Sequence, residues 1–214
     1  MHQRRLRKLR MAIWTVAIVA YLGLVGAFLW IKSDNPPPYA VSNTGEADVR
    51  SEFSLTDHTG RGVTELDYSG RWQLVTFGFT YCPDICPTTL AFVGTTLDLL
   101  GPDVERVAPL FISVDPERDT VEVMAEYVAA FHPRLIGLTG SPAQIAAAAE
   151  EFKVYYAKLE DDSVPDGYLM AHSGAIYLIR PDGSFEAVFR ESDQEPERFA
   201  EEILVRIEKE GRSG

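Results

Sequence analysis

Cysteine is scarce in this chain, 2 in 214 residues, and histidine numbers only 4. Two cysteines cannot form the disulfide framework of a small secreted domain, and a tetrahedral zinc site normally recruits four ligands where only two sulfurs are on offer. Basic side chains are also few. With 20 Lys and Arg against 32 Asp and Glu the net charge is −12, which excludes a sequence-independent nucleic-acid binder because phosphates would be repelled. The chain holds no internal repeat and no low-complexity block. A content of 46% hydrophobic and 24% charged residues fits one ordinary domain plus an appendage.

The absences are unevenly placed. Residues 1–32 contain no acid but six basic side chains (Arg4, Arg5, Arg7, Lys8, Arg10 and Lys32), so the remainder carries 14 basic against 32 acidic groups, or −18. From Met11 to Ile31 there is no charge at all over 21 residues. As a helix that run would span roughly 30 Å, enough to cross the hydrocarbon core. The apolar region of a secretory signal is only about 7–15 residues long, whereas this run continues through Phe28, Leu29, Trp30 and Ile31, so an uncleaved transmembrane anchor is expected. Trp14 and Trp30 lie near its ends as an interfacial belt would. By the positive-inside rule the five basic residues before the span hold the N-terminus in the cytoplasm and send the rest to the far side. Ten preceding residues are short for a mitochondrial transit peptide. The expected location is therefore a bacterial inner membrane, single-pass, with the domain in the periplasm. Four segments follow: a basic tail at 1–10, the anchor at 11–31, a linker at 32–51 containing Pro36, Pro37 and Pro38, and a globular domain at 52–211.

Within that domain, β-rich runs at 73–79 and 107–114 are each followed by helical spacing. The apolar stripe Leu90, Val93, Leu97 and Leu100 marks a helix from Cys86, and 120–131 and 142–152 show the same pattern, with Pro142 suited to a first helical turn. The last third changes character. Runs at 175–179 and 185–189 flank Arg180-Pro181-Asp182-Gly183, a hairpin signal, and residues 197–209 close the chain as an amphipathic helix. A βαβ half joined to a ββα half is the thioredoxin plan, an α/β fold. Phe53-Ser54-Leu55 and the turn Asp57-His58-Thr59-Gly60 predict an extra N-terminal hairpin.

Both cysteines fall in Thr80-Tyr81-Cys82-Pro83-Asp84-Ile85-Cys86-Pro87, directly after the first long strand. A separation of four places both sulfurs on one face if the helix has begun. Thiolates are favoured at a helix N-terminus by unpaired amide N–H groups and the macrodipole. Cu(I) or disulfide chemistry can use two such sulfurs, and a disulfide across so short a loop would be reactive rather than structural. A third ligand must be a histidine. His2 lies across the membrane, His58 sits in a Thr/Gly-rich turn, and His132 precedes Pro133 at the end of a helical stretch, where it suits the C-terminal carbonyls. His172 follows the Asp/Pro/Gly-rich segment 159–169, read as irregular, and opens the run at 175–179. In a thioredoxin plan this loop faces the start of the cysteine helix.

The stretches Phe77-Gly78-Phe79-Thr80-Tyr81-Cys82-Pro83-Asp84-Ile85-Cys86-Pro87, 109–120 (PLFISVDPERDT), Phe131-His132-Pro133 and 136–140 (IGLTG) resemble the Sco/SenC family, in the same order and behind a similar anchor. The resemblance implies a thioredoxin-like copper protein that helps assemble the binuclear copper centre of cytochrome c oxidase. It implies copper, as Cu(I) or Cu(II), on two motif cysteines and one distal histidine, which match Cys82, Cys86 and His172. The family usually places an aspartate before that histidine, and here Ala171 stands there. An acid in that place would orient the imidazole or tune its basicity, and Cu(II), which favours nitrogen ligands, would feel its absence most.

The implied acceptor is cytochrome c oxidase subunit II, with a periplasmic copper donor or thiol reductant as a further partner. The alternative is a thiol–disulfide oxidoreductase that keeps the cysteines of the acceptor site reduced. Against general disulfide exchange, no proline directly precedes residues 175–179, where ordinary thioredoxins carry one. Three other features have structural readings. Asp84 suits a helix N-terminus, Asp119 with Glu122 reads as a helix cap, and Tyr155 and Tyr156 as core or hairpin aromatics.

Overall fold

A computed structural model of the chain describes Trp14, residues 49–161, Val164 and residues 167–212. Of the anchor expected at 11–31 only Trp14 is among them, exposed, and the rest of that segment lies outside the described residues, as does most of the linker at 32–51. Among the described residues no helix is long and apolar enough to cross a membrane.

The domain takes hold at Arg50, whose amide donates to the Glu151 carbonyl, and at buried Ser51, whose hydroxyl donates to the Gly183 carbonyl. Nine strands follow in chain order: β1 (Ser54–Asp57), β2 (Gly62–Thr64), β3 (Trp72–Gly78), β4 (Val107–Ser113), β5 (Ile136–Thr139), β6 (Tyr156–Glu160), β7 (Tyr168–His172), β8 (Ile176–Ile179) and β9 (Phe185–Phe189). Among the described residues of this domain four α-helices are interspersed: α1 (Ile85–Leu99), α2 (Val121–Ala129), α3 (Pro142–Glu151) and α4 (Pro196–Gly211). Seven strands form one sheet in the order β2-β1-β5-β4-β3-β8-β9, and β6 and β7 form a separate two-stranded hairpin.

β3 pairs parallel with β4 over the full run Trp72↔Val107 to Gly78↔Ser113, and β4 pairs parallel with β5. Buried along their whole length, β3 and β4 read as continuous apolar runs because helices or loops cover both faces. Alternation sorts their side chains. Trp72 and Leu74 face one layer with Leu90, Val93 and Leu97 of α1, Met124 and Val128 of α2, and Phe199 and Ile203 of α4. Val75 and Phe77 face the other with Ile145, Ala148 and Phe152 of the α3 region, Leu55 of β1, and Tyr156, Leu169 and Met170 of the hairpin. Fully burying each such large apolar side chain stabilises the fold by about 1.5–3 kcal/mol.

The thioredoxin plan with a front hairpin is what the chain adopts. Two expectations are corrected. Residues around 159–169, read as irregular from their Asp, Pro and Gly, contribute to a hairpin paired from Tyr156↔His172 to Glu160↔Tyr168. His172 therefore ends a strand instead of opening one. The cap of α2 is also not Asp119 but Thr120, whose side chain accepts from the Val123 amide and donates to Glu122.

Candidate metal centre

The site lies at the carboxyl edge of the parallel strands, where α/β sheets present their loops. After Gly78 the chain leaves β3, turns with the Cys82 amide donating to the Phe79 carbonyl at 3.2 Å, and enters α1 at Ile85. Cys82 thus precedes the helix, and the two sulfurs meet because the loop folds back over the helix start, not because they stack one turn apart. That placement sets their environments. Cys82 is half-buried above the N-terminus of α1, and Cys86 is 3% exposed and joins the core. Gly78 has to be glycine for Cys86 to seat there: a Cβ at 78 would lie 2.6 Å from Cys86 Sγ and 2.7 Å from Phe111 Cε2. A Cβ at Gly174, just after His172, would meet the end of the partly exposed Ile85 side chain, which would have to turn aside.

From the hairpin, His172 brings Nε2 to 3.2 Å from Cys86 Sγ, and its ring meets Phe79 edge-on at 5.7 Å. Its Nδ1 lies 3.2 Å from the Ser173 carbonyl. Only an N–H can donate to a carbonyl, so the tautomer protonated at Nδ1 makes this contact, and it is the one that leaves the Nε2 lone pair available to a metal ion at the sulfurs. The backbone of Ser173 thereby orients the imidazole, with Ala171 at the neighbouring position. The Cys82 and Cys86 sulfurs and a His172 nitrogen all lie within 4.8 Å of one another, the one group of three or more such donors found among the described residues.

Hydrogen bonding splits the two thiols. The Cys86 thiol donates to Cys82, and despite partial burial the imidazole of His172 and the amides of Asp84 and Cys86 add to this, lowering Cys82 from an ordinary 9.0 to about 4. Cys86 moves up, because it donates to the Cys82 sulfur, is buried, and lies beside that negative charge. The pair therefore shares one proton at neutral pH, with the thiolate on the outer sulfur. Two thiolate donors and an imidazole fit copper: sulfur suits Cu(I), and the nitrogen adds what Cu(II) favours.

Histidines set aside by the sequence reading have other tasks. His58 Nδ1 accepts from the Gly137 amide, and His132 accepts from the Arg134 amide and faces Asp98 at 3.4 Å. Asp84 is exposed and occupies the N-cap position of α1 without a side-chain cap bond. Tyr156 packs on the core, and Tyr155 is 76% exposed.

Three residues frame the site in roles that sequence did not assign to them. Asp119, fully buried, accepts from the Thr80 amide (3.2 Å), the Thr80 hydroxyl (2.6 Å) and the Ser113 hydroxyl (2.5 Å), while its own carbonyl accepts from Thr139. Burial pushes its carboxyl above the usual range. Arg118 pairs with Asp115 at 2.5 Å and stacks on Tyr168, whose hydroxyl donates to Asp115. Burial and the bond to Asp115 move that phenol up to about 12. A conspicuous Asp-rich loop at 115–120 was the available signal. The strand glycine Gly78 was another, since glycine inside a strand marks a close approach.

Fold and donor set define a thioredoxin-like protein with a thiolate–imidazole metal centre. The chain belongs to the SCO1/SenC family, whose profile matches residues 41–208. It is 46% identical over 160 residues to the mitochondrial SCO2 homolog of Mus musculus, covering 74% of this chain and 60% of that protein. To the mitochondrial SCO2 homolog of Homo sapiens it is 43% identical over 187 residues, covering 85% and 68%. Among solved structures it is similar to Arabidopsis thaliana ScoI with copper bound, at a TM-score of 0.70 and 40% identity, covering 75% of this chain and 99% of that one. These relatives correct the expected location. Both SCO2 homologs are mitochondrial, so assignment to a bacterial inner membrane does not hold. The physical reason is that ten residues ahead of an apolar run do not discriminate between compartments that share the same positive-inside bias.

Proposed function

We propose that this protein binds one copper ion through the thiolates of Cys82 and Cys86 and Nε2 of His172, and delivers it to the binuclear copper site of cytochrome c oxidase subunit II. The observation that carries this reading is the convergence of these three donors from separate elements within 4.8 Å, in a chain 40% identical to a copper-bound ScoI. Three-coordinate copper leaves a position open, so an incoming thiolate can bind before the donor's sulfurs let go. Of the two sulfurs Cys82 is the less buried, which makes it the one an incoming thiolate reaches first. The uncharged run at 11–31 supports a membrane anchor and the proline-rich stretch behind it a tether, which would keep the domain near a membrane-bound acceptor.

Replacing His172 with Ala tests the ligand set. Purified full-length chain is titrated with Cu(I) and, separately, Cu(II) against competing chelators. We expect Cu(I) affinity to change less than tenfold and Cu(II) affinity to fall by a hundredfold or more. Unchanged Cu(II) affinity would falsify the assignment of His172.

The depressed Cys82 thiol favours a second reading, a thiol–disulfide oxidoreductase that reduces the acceptor's cysteines. Cys82 thiolate would attack an acceptor disulfide and release one acceptor thiolate. Cys86 would then give up its proton and attack Cys82, releasing the second. Two electrons pass to the acceptor, the Cys82–Cys86 pair is left oxidised, and an external thiol reductant must restore it. Rapid metal-free reduction of an oxidised acceptor peptide, with no tight copper retention, would favour this reading over the first.

A further inference from the structure

Resting on the copper reading above, we propose that Arg118 is a positioning residue: with Asp115 and Tyr168 it clasps the histidine-bearing hairpin to the cysteine loop and so sets how well the site retains Cu(II) relative to Cu(I). The problem it solves is topological. Cys82 and Cys86 ride on the end of β3 and the start of α1, fixed by the seven-stranded sheet, whereas His172 rides on a two-stranded hairpin that shares no ladder with that sheet. An isolated pair of strands is marginal in water, so its position depends on what holds it.

Arg118 makes contact with both sides. Its guanidinium carbon lies 3.8 Å from the centre of the Tyr168 ring, Nη1 donates to the Tyr168 carbonyl at 3.3 Å, and Nε pairs with Asp115. The same guanidinium lies 4.8 Å from the ring centre of Tyr81, the residue preceding Cys82, and 5.7 Å from that of Phe79, which meets the His172 ring. Tyr168 closes the arrangement by donating its hydroxyl to Asp115 at 3.0 Å. Lys158 of β6 adds an outer tie to Glu117 at 3.2 Å. Tyr168 and His172 are four residues apart on one strand and so share a face, about 13 Å apart at 3.3 Å per residue. Holding Tyr168 therefore holds the register and tilt of the strand that ends in the imidazole. Cys86 does not need the clasp, because it is buried in the core over Gly78. Loosening the clasp should spread the position of the nitrogen most, while leaving the Cys86 sulfur in place.

Arg118→Lys keeps the charge and gives up the planar stack and the fork of donors. In the full-length chain we expect Cu(II) affinity to fall at least tenfold, Cu(I) affinity to stay within threefold, and nitrogen hyperfine coupling in the Cu(II) EPR spectrum to weaken. The decisive reading is a double-mutant cycle: Arg118→Lys combined with His172→Ala should retain Cu(II) no worse than His172→Ala alone. Tyr168→Phe, which keeps the ring and removes only the bond to Asp115, should shift the same ratio in the same direction by a smaller factor, and it carries the test if Arg118→Lys does not fold. An unchanged Cu(II) to Cu(I) ratio in the folded variant, or effects that simply add in the double variant, overturns the clasp. If His172→Ala itself leaves Cu(II) retention intact, the ligand assignment fails instead, so the two failures are told apart.

Discussion

At the scale of single residues, the site rests on an asymmetry between two cysteines that sequence presents as equivalent. Cys82 is half-buried over amide donors, and Cys86 is buried against Gly78. With Cys82 lowered to about 4, its thiolate is present throughout pH 6–9, since a group is deprotonated above its pKa. Alkylation of Cys82 by iodoacetamide should therefore vary little with pH over that range, where an ordinary thiol would speed up about tenfold per unit below its pKa near 9.0. Mass-spectrometric mapping should find Cys86 unmodified over the same interval. A Cys82 rate that climbs steeply towards pH 9 would show that the thiolate is not held at the outer sulfur. Gly78→Ala attacks the other half of the asymmetry: the added methyl meets Cys86 Sγ and Phe111 and should cost about 1–3 kcal/mol of stability as overpacking. Weaker Cu(I) retention should accompany it, because the displaced atom is itself a donor.

At the scale of elements, the frame of the site is a knot of strand ends. Asp119 accepts from Thr80 beyond β3 and Ser113 of β4, and its carbonyl accepts from Thr139 of β5, so one residue fixes the edge from which the cysteine loop departs. Asp119→Ala leaves buried donors unpaired at roughly 1–3 kcal/mol each, so Tm in differential scanning calorimetry should fall by at least about 5 °C. A shift under 2 °C would mean that water or a neighbour replaces the carboxylate without loss. This level also marks how far the sequence could be read. The runs at 73–79 and 107–114 and the Leu90-Val93-Leu97 stripe announced β3, β4 and α1 to within a residue or so, because buried elements carry an unbroken period. β5 and the hairpin of β6 and β7 escaped. Four residues of β5 are too few to show a period, and the Lys158, Leu159 and Glu160 side of the hairpin is exposed, so no apolar alternation marks it. His172 could be picked from four histidines by its place in the chain, but the strand carrying it could not. Asp119 looked like a cap because its partners come from 6, 20 and 39 residues away, separations that no local pattern encodes.

For the domain as a whole, these pieces divide into a rigid body and a lever. The central strands β3 and β4 are buried on both faces between two apolar layers, one built on α1, α2 and α4 and the other on α3 and the front hairpin. The lever is the β6–β7 hairpin, half exposed, laddered only to itself and tied down by Tyr156, Leu169 and Met170 against the core, by the Arg118 clasp and by the imidazole's approach to the sulfurs. Local opening free energies follow such differences, from near zero in lightly packed pieces to the global value in core strands. Amide hydrogen exchange on the metal-free protein should accordingly show residues 156–160 and 168–172 exchanging well ahead of 72–78 and 107–113. Adding Cu(II) joins the lever to the body through one more bond, so the hairpin amides alone should slow, by tenfold or more, with the central strands unchanged. Cu(I), held mainly by the two sulfurs on the body, should slow them less. Were the hairpin as protected as β3 before metal is added, or were copper to slow every strand alike, the division of the domain into body and lever would be wrong. The oxidation state of the ion could then not be read out through the position of His172.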